Sequence, residues 1–133
     1  MFIHQTQLNK DCFLHLSFDK INSNHFELRH LKYGYLHYVF DPEDGELRIL
    51  YVFICNSLRK CGFARKLMKN LFDYIEKEMK YRGLDCIHVY LDDVSEKYGK
   101  LDNLYLQFGF DYIEKDKNGN PTAPEMEKVI KIC

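Results

Sequence analysis

Net charge is almost absent from this chain: 19 lysines and arginines stand against 20 aspartates and glutamates, leaving −1 with neutral histidines. A domain that grips nucleic acid usually carries a basic excess over one face, so no nucleic-acid partner is expected and any basic site must be local. Three prolines and seven glycines in 133 residues are too few for a collagenous or disordered chain. Closely spaced cysteine pairs are also missing. Cys12, Cys55, Cys61, Cys86 and Cys133 are odd in number and form no Cys-x-x-Cys, which speaks against zinc, a redox dithiol or a disulfide scaffold. They read as reduced thiols in a cytoplasmic setting, with a nuclear one left open, and no metal is expected. The longest apolar run, Ile49 to Cys55, falls far short of the ~20 residues of a membrane-spanning helix. Met1-Phe2-Ile3-His4-Gln5 does not open a secretory signal, and Phe2 excludes the myristoylation pattern, so no membrane partner is expected.

What is present fits one globular domain over residues 1–133, large enough to bury a core of its own. The first 58 residues read as a meander of about four strands. Phe13 to Phe18 and Phe26 to Leu31 alternate, and Tyr35 to Phe40 is aromatic and β-branched, with Gly34 and Asp44-Gly45 as turn signals. Leu47 to Cys55, interrupted only by Arg48, predicts a central strand covered on both faces.

After Asn56 the period changes. Phe63, Leu67, Leu71, Ile75 and Met79 recur every fourth residue, Met68 and Phe72 widen the stripe, and Gly83 ends it, which predicts a long amphipathic helix. Cys86 to Leu91 reads as a strand. Tyr98, Leu101, Leu104, Tyr105 and Phe108 outline a second, shorter helix ended by Gly109, and Phe110–Ile113 and Met126–Ile132 as closing strands.

The entry to the long helix carries the chemistry. Arg59, Lys60, Arg65, Lys66 and Lys69 crowd it without an acid, although a helix N-terminus is already positive. A bound anion would relieve that conflict, and Gly62 and the small Ala64 leave room for a phosphate or pyrophosphate against the backbone N–H groups. The competing reading is a solvated basic face with a glycine kept for packing. Neither a Walker loop nor a dinucleotide fingerprint fits, because Gly62 is the only glycine there.

The pattern that does fit is Arg-x-x-Gly-x-Ala, Arg59 to Ala64. It resembles the coenzyme-A loop, Gln/Arg-x-x-Gly-x-Gly/Ala, of the GNAT superfamily of acetyl-CoA-dependent N-acetyltransferases. The later Leu104-Tyr105-Leu106-Gln107-Phe108-Gly109-Phe110 is similar to the family's Leu-Tyr-x-Lys-x-Gly-Phe, with Gln107 in place of lysine. The likeness runs from about Gly45 to Ile113. It implies an α/β (α+β) fold with a mixed, mostly antiparallel sheet, a splayed central strand pair, and a long and a shorter helix. N-terminal helices would be reduced or absent, because Phe18 and Phe26 are too close to hold the one or two helices usual there.

The resemblance also implies roles. Acetyl-CoA would be the co-substrate and a primary amine, on a small molecule or a protein, the acceptor. Main-chain groups of Phe53, Ile54 and Cys55 would pair with the pantetheine arm. N–H groups of Lys60, Gly62, Phe63, Ala64 and Arg65 would bind the pyrophosphate, with Arg59 and Lys60 side chains adding charge. Tyr105 matches the tyrosine that protonates the departing thiolate, though a packed core aromatic would look the same in a chain with ten tyrosines. The strand position where some relatives carry a glutamate base holds Arg48. Glu46, His88, Asp92 or water remain open as the base, and each side chain has an ordinary structural reading too. The acceptor site is open, or is completed by the loop Glu114–Pro124 or by a second copy in a homodimer. A catalytically dormant acyl-CoA-binding or interaction protein of the same fold is the alternative. An RNA-recognition strand at Gly34–Phe40 fails at Leu36 and His37 and in element order.

Overall fold

Five strands precede the first helix: β1 (Phe2–Asn9), β2 (Cys12–Ser17), β3 (His25–His30), β4 (Gly34–Asp41) and β5 (Glu46–Ile54). Then come α1 (Phe63–Arg82), β6 (Cys86–Asp92), α2 (Leu104–Gln107), β7 (Asp111–Tyr112) and β8 (Glu125–Lys131). The computed structural model describes residues 2–9, 12–17, 24–30, 34–54, 62–94, 98–99 and 103–132, and only the backbone at 2–6, 8, 9 and 12–17. All eight strands form one sheet in the order β1-β2-β3-β4-β5-β6-β8-β7. Every neighbouring pair is antiparallel except β5 and β6. This is the expected mixed, mostly antiparallel architecture, and among the described residues no helix precedes Phe63.

The stripe predicted for α1 is the face it buries. Leu67, Met68, Leu71, Phe72, Ile75 and Met79 pack on the sheet over β3, β4 and β5. The helix stops at Gly83, where the Leu84 N–H returns to the Met79 carbonyl at 2.8 Å and satisfies a terminal acceptor. From the sheet, Leu28, Leu36, Tyr38, Leu47, Ile87 and Val89 meet that stripe, all fully buried.

Four expectations need correction. The meander holds five strands, since the polar Phe2–Asn9 pairs with β2. Gly34 opens β4 rather than turning before it. The second helix is one turn, Leu104–Gln107, with Tyr98 outside it and Leu101 outside the described residues. Finally, β5 is central but, among the described residues, covered on one face only. His37 pairs with Tyr51 and Tyr38 with Ile49, so Leu50 is an extra residue bulged out of the ladder. Before the bulge the odd residues Leu47 and Ile49 face α1; after it the even residues do, ending at buried Ile54. Leu50, Tyr51 and Phe53 are left 45%, 51% and 38% exposed on a sheet that carries its long helix on the other face.

Candidate functional site

The parallel pair at the centre of the sheet is short. Glu46 pairs with His88, Leu47 with Val89 and Arg48 with Tyr90, and there the ladder ends. β5 runs six residues further and β6 two, so their C-terminal ends are not laddered to each other. Phe53 and Ile54 lie in this separated stretch, held by Tyr35 and Gly34 of β4 on their other side. The contact with β4 is close: a Cβ on Gly34 would stand 2.0 Å from the Phe53 carbonyl oxygen.

At the end of β5 the chain reaches Gly62, which precedes α1 at φ 80° and ψ 11°. A side chain in this left-handed conformation costs roughly 1–2 kcal/mol, which accounts for glycine. Packing does not require it, since a Cβ there would meet nothing within 4 Å. The first helical bond is Lys66 N–H to the Gly62 carbonyl, so the N–H groups of Phe63, Ala64 and Arg65 precede the ladder and sit at the positive end of a 20-residue helix. No acid occupies the first turn and no side chain caps it. Open space, N–H donors and a positive field together fit a pyrophosphate. Arg65 also donates to the Gln107 side chain, and its guanidinium lies 5.7 Å from the Phe108 ring centre, tying this helix entry to α2. Cys55, Arg59 and Lys60, expected in the same site, lie outside the described residues.

α2 hangs from the end of β6 through a buried polar cluster that the sequence reading missed. The Asn103 side-chain oxygen accepts from the Tyr105 N–H at 2.8 Å and caps the helix. Its amide donates to Asp93, directly after β6, at 2.7 Å, and the Tyr112 hydroxyl donates to the same oxygen at 2.6 Å. Asp93 is 2% exposed. Burial and this bond push the Tyr112 phenol up to about 12. Tyr105 is thereby placed at the C-terminal end of β6, beside the strand separation. It is half-buried, edge-on to Phe110 at 6.2 Å, and its hydroxyl bonds to no described residue. Burial, helped by the Asp93 charge, raises its pKa above the usual phenol value, so it holds its proton at neutral pH.

Asp93→Asn replaces the charged acceptor shared by the two donors with a neutral amide oxygen and puts an NH2 where the second carboxylate oxygen stands. We expect a loss of about 2 kcal/mol of stability in denaturant unfolding, with α2 loosened before α1 in amide exchange. Equal protection of the two helices would show that Asp93 does not position α2.

Glu46, His88 and Asp92 all stand on the sheet face opposite α1, by alternation with the buried Leu47, Ile87, Val89 and Leu91. Glu46 lines a cavity of about 470 Å³ with Asp41, Arg48, Tyr90 and Glu125. His88 Nδ1 is 2.8 Å from Glu127, and Asp92 is 4.0 Å from Arg48, which also pairs with Glu125. Glu46 and His88 are neighbours at the start of the parallel pair, and Asp92 lies beyond its last paired residue.

No protein-family model and no curated protein matches the sequence. Solved structures do match. The ribosomal-protein-S18-alanine N-acetyltransferase of Escherichia coli superposes with TM-score 0.54 at 17% identity, over 82% of this chain and 70% of that one. The IAA acetyltransferase of Bacillus cereus gives 0.52 at 13%, over 82% and 79%. The PaiA N-acetyltransferase of Thermoplasma acidophilum, solved in complex with coenzyme A, gives 0.50 at 15%, over 81% and 60%. These likenesses lie in the fold: this chain has the fold of the GNAT N-acetyltransferases.

Proposed function

We propose that the protein transfers the acetyl group of acetyl-CoA to a primary amine. One observation carries the reading: the ends of β5 and β6 part after three paired residues, and an acid-free helix entry and a protonated tyrosine stand at the two ends. Main-chain groups of Phe53 and Ile54 would receive the pantetheine arm. The N–H groups of Gly62, Phe63, Ala64 and Arg65 would hold the pyrophosphate, as in other helix N-terminal anion sites. The amine nitrogen attacks the acetyl carbonyl carbon and gives up a proton to a base, the C–S bond breaks, and the sulfur takes the Tyr105 proton, which solvent later returns. The solved acetyltransferases of this fold support the reading, one of them with coenzyme A bound.

Acetyl-CoA at a hundred times its dissociation constant should stabilise the protein by about 2.7 kcal/mol. Gly62→Val should fold with a loss of roughly 1–2 kcal/mol, because nothing crowds its Cβ, and lose that ligand-induced shift. Stabilisation of both proteins alike would remove Gly62 from the site. A thiol-release assay with small amines and peptides then separates an enzyme from a protein that only binds acyl-CoA.

A further inference from the structure

The sheet face opposite α1 carries a buried acid–base cluster that none of the roles above uses. Glu27 on β3 and His37 on β4 stand in register, 5% and 7% exposed. Glu27 is clamped on two sides: Arg29 Nε lies 2.6 Å from one carboxylate oxygen, and Arg29 Nη2 and His37 Nε2 lie 3.1 and 2.9 Å from the other. Burial pushes the Glu27 carboxyl up, but the hydrogen bonds from His37 and Arg29 and their charges outweigh it and hold it down at about 2. A permanent carboxylate must receive a proton, so His37 carries one on Nε2 and presents Nδ1 as an acceptor. Two groups converge on that nitrogen, the Tyr51 hydroxyl at 3.2 Å and His25 Nε2 at 3.0 Å.

Tyr51 is the informative one. It follows the bulged Leu50 and lies on the stretch of β5 that has parted from β6. Without the extra residue it would point with Leu47 and Ile49 into the core under α1. The bulge turns it onto the open face, where its ring stacks on His37 at 4.6 Å and remains half exposed. A bulge that re-aims one side chain beside a strand separation is how sheets commonly build sites.

We propose that Tyr51, backed by His37 and Glu27, accepts the proton that the acceptor amine loses on acetylation; this rests on the transferase reading above. The amine proton passes to the Tyr51 oxygen as the Tyr51 proton passes to His37 Nδ1, leaving an imidazolium paired with the Glu27 carboxylate. Tyr105 protonates the departing sulfur, and solvent returns one proton from His37 to Tyr105, so the cycle closes without another reactant. Tyr51 meets the substrate; His37 and Glu27 act through it. Among the described residues, Arg29 and His25 on β3 and Tyr35 on β4 are the cluster's charged or titratable neighbours, and the backbone of β2 places position 15 opposite Glu27.

Tyr51→Phe keeps the ring and its stacking. It should lower kcat for amine acetylation about ten- to a hundredfold, leave the acetyl-CoA dissociation constant unchanged, and flatten the rise of rate with pH. Tyr81→Phe, on an exposed ring of α1 outside the cluster, should keep the full rate. Nitrogen-15 shifts of the histidines in the ligand-free protein should show the neutral His37 ring with its proton on Nε2 rather than Nδ1, a preference lost in Glu27→Gln. Full activity in Tyr51→Phe, an equal loss of activity in Tyr81→Phe, or a proton on Nδ1 of His37 each overturns the proposal. A wild-type protein that binds acetyl-CoA and acetylates no amine overturns the transferase reading, and the role of Tyr51 with it.

Discussion

Gly34→Ala should cost 3 kcal/mol or more, about the upper end for an overpacked site, and lower the melting temperature by about 10 °C. The added Cβ would stand 2.0 Å from the Phe53 carbonyl oxygen and 3.0 Å from the Ile54 Cα. These are backbone atoms, so no side-chain rotation relieves the clash; β4 and β5 must separate at this end. The backbone at Gly34, φ 159°, also lies in a range that L side chains rarely adopt, so a conformational penalty adds to the clash. Gly119→Ala is the matching control, with φ 85° and open space around its Cβ, and should cost only roughly 1–2 kcal/mol from the left-handed backbone. Because Phe53 and Ile54 are the residues proposed to pair with pantetheine, the Gly34 variant should also bind acetyl-CoA more weakly at temperatures where it is folded. A melting temperature equal to that of the Gly119 variant would mean that the two strands do not approach this closely.

The features legible beforehand are those written as a period or a local motif. Leu67, Leu71, Ile75 and Met79 announce a helix because one face repeats every turn, and Gly83 marks its end. Arg59-x-x-Gly62-x-Ala64 and Leu104 to Phe110 point to the fold because each lies within one stretch of chain. The bulge at Leu50 had no such sign, since Ile49 to Ile54 is apolar throughout and a shift of phase leaves no trace in it. Tyr98 and Leu101 fit a helical spacing, and only the Asn103 side chain, which closes on the Tyr105 N–H, sets the true start of α2. Glu27 sits at a polar position of an alternating strand, and nothing along the chain marks it as buried. It is buried because His37 and Arg29 meet it, a contact that the register of β3 on β4 creates and spacing along the chain does not show. A helix period is local and legible along the chain; sheet chemistry depends on which strands pair, and is not.

Tyr105→Phe should reduce turnover by about a hundred- to a thousandfold, equivalent to ~3–4 kcal/mol of transition-state stabilisation. Stability should stay within about 0.5 kcal/mol, because the hydroxyl bonds to no described residue and the ring keeps its edge-on contact with Phe110. Acetyl-CoA affinity should not change, since the cofactor reading relies on main-chain groups of β5 and of the α1 entry. The pH profile gives a second, independent sign. The protonated phenol is the acid, so the wild-type rate falls as pH rises through its pKa, and burial together with the Asp93 charge places that fall above the usual phenol value. The phenylalanine variant has no such limb. Asp93→Asn, which removes the charge, should move the limb downward while Tyr105 still donates. Turnover unchanged in Tyr105→Phe would leave Tyr105 as a packing residue and assign thiolate protonation to solvent.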